Sequence, residues 1–327
     1  MRLCLRRRDF IAGLGGAAAW PLAARAQQRR KPVVGYLGIG PPNPYEEAWL
    51  RRGLNEVGYV DGVNVAIQFR WEGWEDNRFR AAAADLVRNQ VAVIVTDSGP
   101  AVLAAKAATS KIPIVFLEGT DPVAGGLAAS LRSPGGNMTG VSLLSGELLS
   151  KRLDLLRQFS PSTKTFAYFT DFRARLAQED TSGIVAAARD MALQLIILGA
   201  TNEGEIETAF ARFLQAGSGG LIVGPYLIFD RNRKKILDFA RGNKIPAIYP
   251  GRRYVAEGGL MSYGSNPVGV HKTIVDYVAR ILKGAKPADL PVQQLTTFDL
   301  VVNVTTAKAL GLDIPATVYA LATEVIE

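Results

Sequence analysis

One stretch of the sequence, residues 111–141, constrains the fold more than any other. It begins with an apolar run, 114–117, bounded by proline and glycine, which is typical of a buried strand in a parallel sheet. The same Lys-Ile-Pro start recurs at 244–249, and Gly-Gly-Leu follows both copies at the same distance. The repeat predicts an old duplication that produced two similar α/β lobes, and the alternative is chance recurrence of Ile-Pro before a strand.

Apolar runs alternate with helix-like segments along most of the chain. Residues 33–37 read as a first strand, 44–57 as a helix with apolar residues at helical spacing, and 91–95 as a further strand. Repeated strand–helix units predict mostly parallel sheets with right-handed crossovers. The fold class is therefore α/β, with two Rossmann-like lobes whose strand ends face a shared cleft.

The first 26 residues have the features of an export signal. A basic cluster, Arg6 to Arg8, precedes a short apolar stretch, and 24–26 is Ala-Arg-Ala, which suits a signal peptidase. Arg7 and Arg8 before Asp9 resemble a twin-arginine signal. We expect cleavage after Ala26 and a periplasmic location, the alternative being a basic N-terminal helix of a cytosolic protein.

Removing that segment changes the chemistry available to the chain. It takes away five Arg and one Asp, which lowers the formal net charge from +8 to +4. It also removes Cys4, the only cysteine, and leaves His271 as the only histidine. Phosphate-binding and nucleophile-elbow motifs are absent. We therefore expect no catalytic residues, no cofactor, no metal and no nucleic-acid partner, although carboxylate-based catalysis stays open.

The loop after the third strand, 96–100, carries a candidate for ligand binding. Pro100 suits the first turn of a helix, and the free N–H groups of a helix N-terminus hold anions. Ser98 stands at that terminus, so it either contacts an anionic ligand group or only caps its helix. After the next strand, Thr120 and Asp121 stand at a strand end, where ligands of open α/β sheets bind, and the alternative for Asp121 is a turn with Pro122.

Several motifs together resemble the tryptophan/tyrosine-binding-like group of ABC transporter substrate-binding proteins, which have a type I periplasmic binding protein fold. The resemblance covers nearly the whole mature chain. The segments that carry it are 35–37, 104–109, 112–116, 120–123, 126–127, 130–137, 139–141, 282–291 and 306–312.

The resemblance implies two lobes joined by a hinge of three crossings, near 141–145, 262–265 and 286–291. The first lobe is then 30–143 plus 265–288. The second lobe is 144–264 plus 289–327. A small molecule would bind between them.

In relatives that bind aromatic amino acids, first-lobe contacts fall at positions matching Ser98, Gly99, Thr120 and Asp121. Asp121 would then pair with an ammonium group, and Ser98 and Thr120 would hold a carboxylate. Two further candidates, Tyr36 and Asn137, lie within the matching segments.

The second lobe departs from the aromatic-binding pattern, because larger and charged residues replace the small polar ones expected after its strands. The candidates at or near these strand ends are Asp171, Tyr226, Tyr249, Arg252 and Tyr263. An arginine in the cleft favours a carboxylated ligand, so the identity of the ligand does not transfer.

These expectations favour a monomeric solute receptor that delivers a small amino acid, aromatic or carboxylated molecule to an ABC permease in the inner membrane. Two alternatives remain. One is an exported enzyme that uses paired carboxylates such as Asp121 with Asp171 or Glu118. The other is a ligand sensor for a membrane signalling partner.

Overall fold

The chain forms two α/β lobes, each built on one central sheet. The computed structural model describes residues 31–72, 76–119, 121–143, 145–174, 177–295 and 297–327.

The first lobe contains a six-stranded parallel sheet with helices on both faces. Its strands are β1 (Val33–Ile39), β2 (Ala66–Glu72), β3 (Val93–Thr96), β4 (Ile114–Glu118), β5 (Met138–Ser142) and β11 (Gln293–Gln294). Its helices are α1 (Pro44–Glu56), α2 (Asp76–Arg88), α3 (Gly99–Ala108) and α10 (Pro267–Leu282), followed by a 3₁₀ turn at Pro287–Asp289. The strand order is β11-β5-β4-β3-β1-β2.

The second lobe contains a seven-stranded sheet in the order β13-β12-β10-β9-β8-β6-β7, in which only β10 and β12 pair antiparallel. Its strands are β6 (Thr165–Thr170), β7 (Gln194–Gly199), β8 (Leu221–Val223), β9 (Ala247–Tyr249), β10 (Met261–Ser265), β12 (Phe298–Asn303) and β13 (Glu324–Ile326). Its helices are α4 (Ser145–Phe159), α5 (Ala177–Asp190), α6 (Glu203–Gln215), α7 (Leu227–Arg231), α8 (Arg233–Gly242), α9 (Arg252–Ala256), α11 (Val304–Leu310) and α12 (Ala316–Leu321).

Apolar side chains cover both faces of the first sheet, which is why its strands read as continuous hydrophobic runs. On one face, Leu50 and Leu54 of α1 pack with Val275 of α10. On the other face, Phe79 of α2 packs with Val102 of α3. The sheet is therefore buried between two helical layers, and its strand ends are the parts left to form a binding surface.

Helix α1 is held at its start by an asparagine cap. The Asn43 side chain accepts a hydrogen bond from the Tyr45 backbone N–H, and Pro44 occupies the first helical position. This cap fixes where α1 begins, so that Glu46 lies about one turn before Leu50 and two turns before Leu54, on the helix face that turns toward the sheet.

The chain passes between the sheets three times, after β5, after β10 and after β11. The third crossing corrects the expected boundary. Residues 289–294, assigned above to the second lobe, belong to the first, because β11 pairs with β5 and because Leu290 and Val292 are buried in the first-lobe cores. The proline-bearing segment 286–291 looks like a linker in sequence, but it packs as part of the lobe.

The repeated sequence pattern falls at equivalent places in the two lobes. Residues 111–113 lead into β4, and 244–246 lead into β9. Each strand is the fourth in a sheet whose first five strands share one order: β2-β1-β3-β4-β5 in one lobe and β7-β6-β8-β9-β10 in the other. The structure thus confirms two Rossmann-like α/β lobes, and the shared order supports their origin by duplication.

Candidate functional site

Each sheet has a topological switch point, at which the strand order along the sheet reverses relative to the order of strands in the chain. In the first lobe, β1 lies between β2 and β3; in the second, β6 lies between β7 and β8. Ligands of open α/β sheets bind in the crevice beyond the carboxyl ends of the strands at such a point. The crevices here are bordered by Ile39 and Asp97 in one lobe and by Asp171 and Pro225 in the other.

A cavity of about 970 Å³ lies between these two crevices. Its volume is within the usual range for small-molecule sites, about 300–1,000 Å³. The described residues that line it come from both lobes: Ile39, Asn43, Glu46, Trp71, Asp97, Ser98, Gly99, Pro100, Leu103, Leu117, Glu118, Gly119, Leu143, Asp171, Arg173, Ala174, Asp180, Pro225, Tyr226, Leu227, Asp230, Pro250, Gly251, Arg253 and Tyr254. A molecule held here touches both lobes.

Two carboxylates share one phenol on the first-lobe wall. The Tyr36 hydroxyl lies 3.0 Å from Asp97 Oδ2 and 3.4 Å from Glu46 Oε2, so its single proton can serve either. The Ile39 backbone N–H donates to Asp97 Oδ1 at 3.2 Å, and the indole N–H of Trp49 donates to Glu46. Tyr36 is fully buried, and its ring packs 5.2 Å from that of Trp71.

The two acids disfavour each other's charge. Although Asp97 keeps some surface in the cavity, its carboxyl group is enclosed, and burial, together with the nearby Glu46, raises its pKa to about 7. Burial also raises the pKa of Glu46, against the opposing effect of hydrogen bonds from Trp49 and Tyr36. The wall therefore holds an acidic pair that is only partly ionised near neutral pH.

The N-terminus of α3 borders the acidic pair. Ser98 occupies the N-cap position, and its carbonyl accepts from the Val102 N–H at 2.9 Å, but its hydroxyl makes no capping hydrogen bond. The sequence left open whether Ser98 only caps its helix, and the absence of that bond favours the other interpretation. The first N–H groups of the ten-residue helix thus border the cavity beside Gly99.

The second-lobe wall contains a buried chain of hydroxyl and carboxylate groups. The Tyr226 hydroxyl donates to Asp180 Oδ2 at 2.7 Å and lies 3.2 Å from the Tyr168 hydroxyl. Burial raises the pKa of Asp180. Behind this wall, Arg152 is 2% exposed and donates from Nε to the Tyr263 carbonyl at 2.7 Å. Burial lowers the pKa of Arg152 to about 10, so it stays a cation at neutral pH.

Among the residues predicted from sequence, Ser98, Gly99, Asp171 and Tyr226 line the cavity. Tyr36 lies directly behind it and positions Asp97. Thr120 lies outside the described residues.

Two first-lobe predictions lie away from the cavity, Asp121 in an exposed turn and Asn137 just before β5, at the edge of the sheet opposite the cleft. Asp121 is exposed and makes the turn that sequence left as its alternative, because its Oδ1 accepts from the Val123 N–H at 2.8 Å. Asn137 donates to the Ile112 carbonyl at 2.7 Å and ties the glycine-rich turn to β4. Neither residue lines the cavity.

Three second-lobe predictions, Tyr249, Tyr263 and Arg252, also lie outside the cavity lining. Tyr249 is buried in the lobe core behind Tyr254, with the two rings stacked 4.9 Å apart. The Tyr263 ring packs against Phe298 instead, with ring centres 5.8 Å apart.

Arg252 forms a two-pronged ion pair with Glu324, with Nε 2.6 Å from Oε2. Its neighbour Arg253 lines the cavity, since successive residues of α9 point in different directions.

The lining residues that were not predicted from the sequence include Glu46, Asp97 and Asp180. Two of these left a signal. Glu46 is a charged residue in line with the apolar stripe of α1, and Asp97 directly follows a buried strand. A charge on a buried stripe indicates a site more often than a packing position.

Groups of acidic, histidine or cysteine side chains able to hold a metal do not occur among the described residues. Within the same residues, no helix has the length and apolar character needed to span a bilayer.

The fold and cleft define a two-lobed solute-binding protein of type I periplasmic binding protein architecture. Residues 47–326 match the sequence profile described as "ABC transporter substrate binding protein". The chain therefore belongs to the ABC transporter substrate-binding protein family.

Similar proteins agree with this assignment. A "Tyrosine-binding protein" from Clostridioides difficile is 26% identical over 268 residues, covering 80% of this chain and 75% of its own. The solved structure of a "conserved domain protein" from Vibrio cholerae is 27% identical, with a TM-score of 0.81 over 90% of this chain and all of its own. An ABC domain in complex with L-Trp from Streptococcus pneumoniae, 24% identical, shares the fold with a TM-score of 0.79 over 91% of this chain and all of its own.

Proposed function

We propose that this chain is the exported receptor of an ABC transporter, which captures a small amino acid, aromatic or carboxylated molecule between its lobes and presents it to an inner-membrane permease. The observation that carries the proposal is that the cavity of about 970 Å³ is lined from both strand-end crevices. A ligand that touches both walls stabilises the closed arrangement over the open one, so its binding shifts the hinge equilibrium.

The lining of the cavity supports an aromatic or amino acid ligand. Trp71, Leu117 and Tyr254 supply apolar surface, and the N-terminus of α3 supplies N–H donors for a carboxylate. The names of the similar proteins from Clostridioides difficile and Streptococcus pneumoniae refer to tyrosine and L-Trp. We extend that chemistry to this chain as part of the proposal.

Calorimetric titration of the mature protein with L-tyrosine and L-tryptophan tests the ligand class. We expect saturable binding at micromolar or lower concentration, and Ser98→Ala weakens it about tenfold because a hydrogen bond to a charged group is lost. Ser182→Ala on the exposed face of α5 serves as the control and leaves the affinity unchanged. Absence of binding to any amino acid contradicts the proposed ligand class.

The location and the partner are tested separately. We propose a periplasmic monomer released from its 1–26 segment. Replacing Arg7 and Arg8 by lysine retains the precursor in the cytoplasm, and cross-linking of the mature protein to its permease depends on added ligand. Full export of the lysine variant contradicts the twin-arginine assignment.

One observation favours a second candidate, an exported enzyme. The expected pairing of Asp121 with Asp171 or Glu118 does not occur in the cavity, because Asp121 lies outside its lining. The pair Glu46 and Asp97 does line it, and a carboxyl with a pKa of about 7 is suited to proton transfer. Mass spectrometry of each bound compound after incubation separates the two candidates: unchanged compound supports the receptor, and conversion supports the enzyme.

A further inference from the structure

A second, smaller cavity of about 140 Å³ adjoins the main one. We call it the side chamber. It lies between β1, β3, α1 and α10, and its described lining consists of Tyr36, Glu46, Trp49, Val95, Thr96, Asp97, Leu117, His271 and Ile274. Glu46, Asp97 and Leu117 also line the main cavity, so a ligand in the main cavity stands at the entrance of the side chamber.

The side chamber has acidic groups and no basic partner. None of its described lining residues is Lys or Arg, and none of the described ion pairs includes Glu46 or Asp97. His271 does not supply a charge either. Its ring stacks on Trp49 at 4.1 Å, and burial lowers its pKa to about 4, so it is neutral at physiological pH.

A buried hydroxyl group lies in the same lining. Thr96 is fully buried, and its Oγ1 has no hydrogen-bond partner among the described residues. A buried polar group without a partner is costly, so such a group indicates that something polar occupies the space beside it. Thr96 Oγ1 and the two carboxylates together supply hydrogen-bond acceptors around one small volume.

We infer that the side chamber receives the ammonium group of the bound ligand. An ammonium has three N–H donors and no acceptor, which matches Glu46, Asp97 and the Thr96 hydroxyl. The rings of Tyr36 and Trp49 offer faces that attract a cation. The volume equals that of about four or five liquid water molecules, which is enough for an ammonium and a few methylene groups.

This inference rests on the proposed function, since it names the group by which the captured solute is recognised. It also moves the cation site from Asp121, where the sequence resemblance placed it, to Glu46 and Asp97. Two kinds of ligand share the required chemistry: the α-ammonium of an amino acid and the terminal ammonium of an amine without a carboxylate.

Methylammonium tests the side chamber without knowledge of the natural ligand. The mature protein is titrated with methylammonium chloride at about pH 8, above the pKa of about 7 of Asp97, and tryptophan fluorescence reports binding because Trp49 and Trp71 adjoin the site. We expect a saturable change that sodium and tetramethylammonium chloride at equal ionic strength do not produce. Identical responses to all three salts overturn the inference.

Variants assign the response to the side chamber. Asp97→Asn and Thr96→Val each weaken methylammonium binding, the former about tenfold or more because a charge-assisted bond is lost. The second variant is isosteric and keeps the inference testable if the first does not fold. Asp121→Asn is the matched control, because the asparagine side chain can keep the same turn outside the cavity, and it leaves the response unchanged. A response lost in Asp121→Asn but retained in Asp97→Asn overturns the inference.

Matched compounds then separate the sources of the ammonium. L-Tyrosine, tyramine and 3-(4-hydroxyphenyl)propanoate share one ring but differ in their charged groups. If only L-tyrosine binds, the side chamber receives an α-ammonium. If both L-tyrosine and tyramine bind, it also receives the terminal ammonium of an amine without a carboxylate. If the propanoate binds as tightly as tyrosine, the inference fails and the receptor function stands. If none binds while methylammonium does, the proposed ligand class fails and the side chamber stands.

Discussion

At the residue scale, Asp97 is the group whose environment conflicts most with its charge. It lies on a wall with a second carboxylate, receives hydrogen bonds from Tyr36 and Ile39, and has no described ionic partner. A protein keeps such a group only where it serves a purpose other than stability, and ligand recognition is one. The cost should be visible in the ligand-free protein.

Asp97→Asn should stabilise the ligand-free protein at about pH 8 but not at about pH 4. The native pKa of about 7 exceeds the ordinary value of 3.8, so the folded state holds its proton while the unfolded state releases it. The contribution of Asp97 to stability therefore falls as pH rises from about 4 to about 7, and the variant lacks this loss of about 2–4 kcal/mol.

Urea unfolding at several pH values measures this difference. Asp190→Asn, at a side chain that is 76% exposed, is the control and should show no such pH dependence. An equal effect of Asp97→Asn at both ends of the pH range contradicts the prediction. The Glu46 carboxyl and the Tyr36 hydroxyl face Asp97, so removing the Asp97 charge also alters their titration, and the measured difference belongs to this coupled group as a whole.

At the element scale, the short strand β11 shows how sequence misleads about lobe boundaries. The segment 286–291 contains prolines and lies between two helical or strand-like regions, which is the pattern of a linker. Tertiary contacts decide otherwise: the Thr139 hydroxyl donates to the Leu290 carbonyl at 2.7 Å, and Leu290 is 1% exposed. The segment therefore completes the first lobe before the chain crosses for the last time.

Leu290→Ala should loosen the first lobe selectively. Truncating a buried leucine costs about 2–5 kcal/mol of folding stability. The elements that lose stability are those that pack around the space left by the removed side chain. Hydrogen exchange should rise in β4 and β5 while β8 and β9 stay protected. Leu300→Ala, equally buried in the second-lobe core, should give the reverse pattern. Faster exchange in the second lobe for Leu290→Ala contradicts the assignment of β11.

Most of the architecture follows from patterns in the sequence, and the reason is local. Buried parallel strands such as β3 and β4 consist of unbroken apolar runs, and helices such as α1 have apolar residues at helical spacing. The order of residues along a strand also identifies where it ends, and four residues predicted on that basis line the cavity: Ser98, Gly99, Asp171 and Tyr226. Each of these follows a strand directly or within three residues.

The direction in which a side chain points is not encoded so locally. Tyr249 ends β9 beside the cleft, but packing against Tyr254 draws its ring into the core. Asn137 precedes β5, so it lies at the edge of the sheet opposite the cleft. Glu46 comes from a helix that only the folded sheet brings to Asp97. The two residues are 51 positions apart in the sequence, and only the fold brings them together. Local sequence patterns therefore do not predict this pair.

At the scale of the whole molecule, the hinge and the cleft act together. Three crossings join the lobes, and the cavity uses residues on both sides of them. A ligand that bridges the walls therefore holds the lobes together. Saturating L-tryptophan should reduce the radius of gyration measured by small-angle X-ray scattering, because closure brings the two lobes closer.

Ser98→Ala should need more L-tryptophan for the same reduction, whereas Ser182→Ala should match the wild type. A radius that stays constant at ligand concentrations that saturate the calorimetric signal contradicts hinge closure as the response to binding. The scattering measurement and the titration together separate a failure to bind from a failure to close.

The shared strand order of the two lobes has a consequence for the orientation in which a ligand binds. Two lobes with one topology present equivalent strand ends to each other. If their side chains were also identical, a bound ligand would have no preferred orientation between them. Here the halves have diverged: one presents a phenol between two acids, the other a tyrosine–aspartate chain backed by a buried guanidinium. In the receptor that we propose, this difference between the walls would let the cleft distinguish the two ends of a solute and bind it in one orientation.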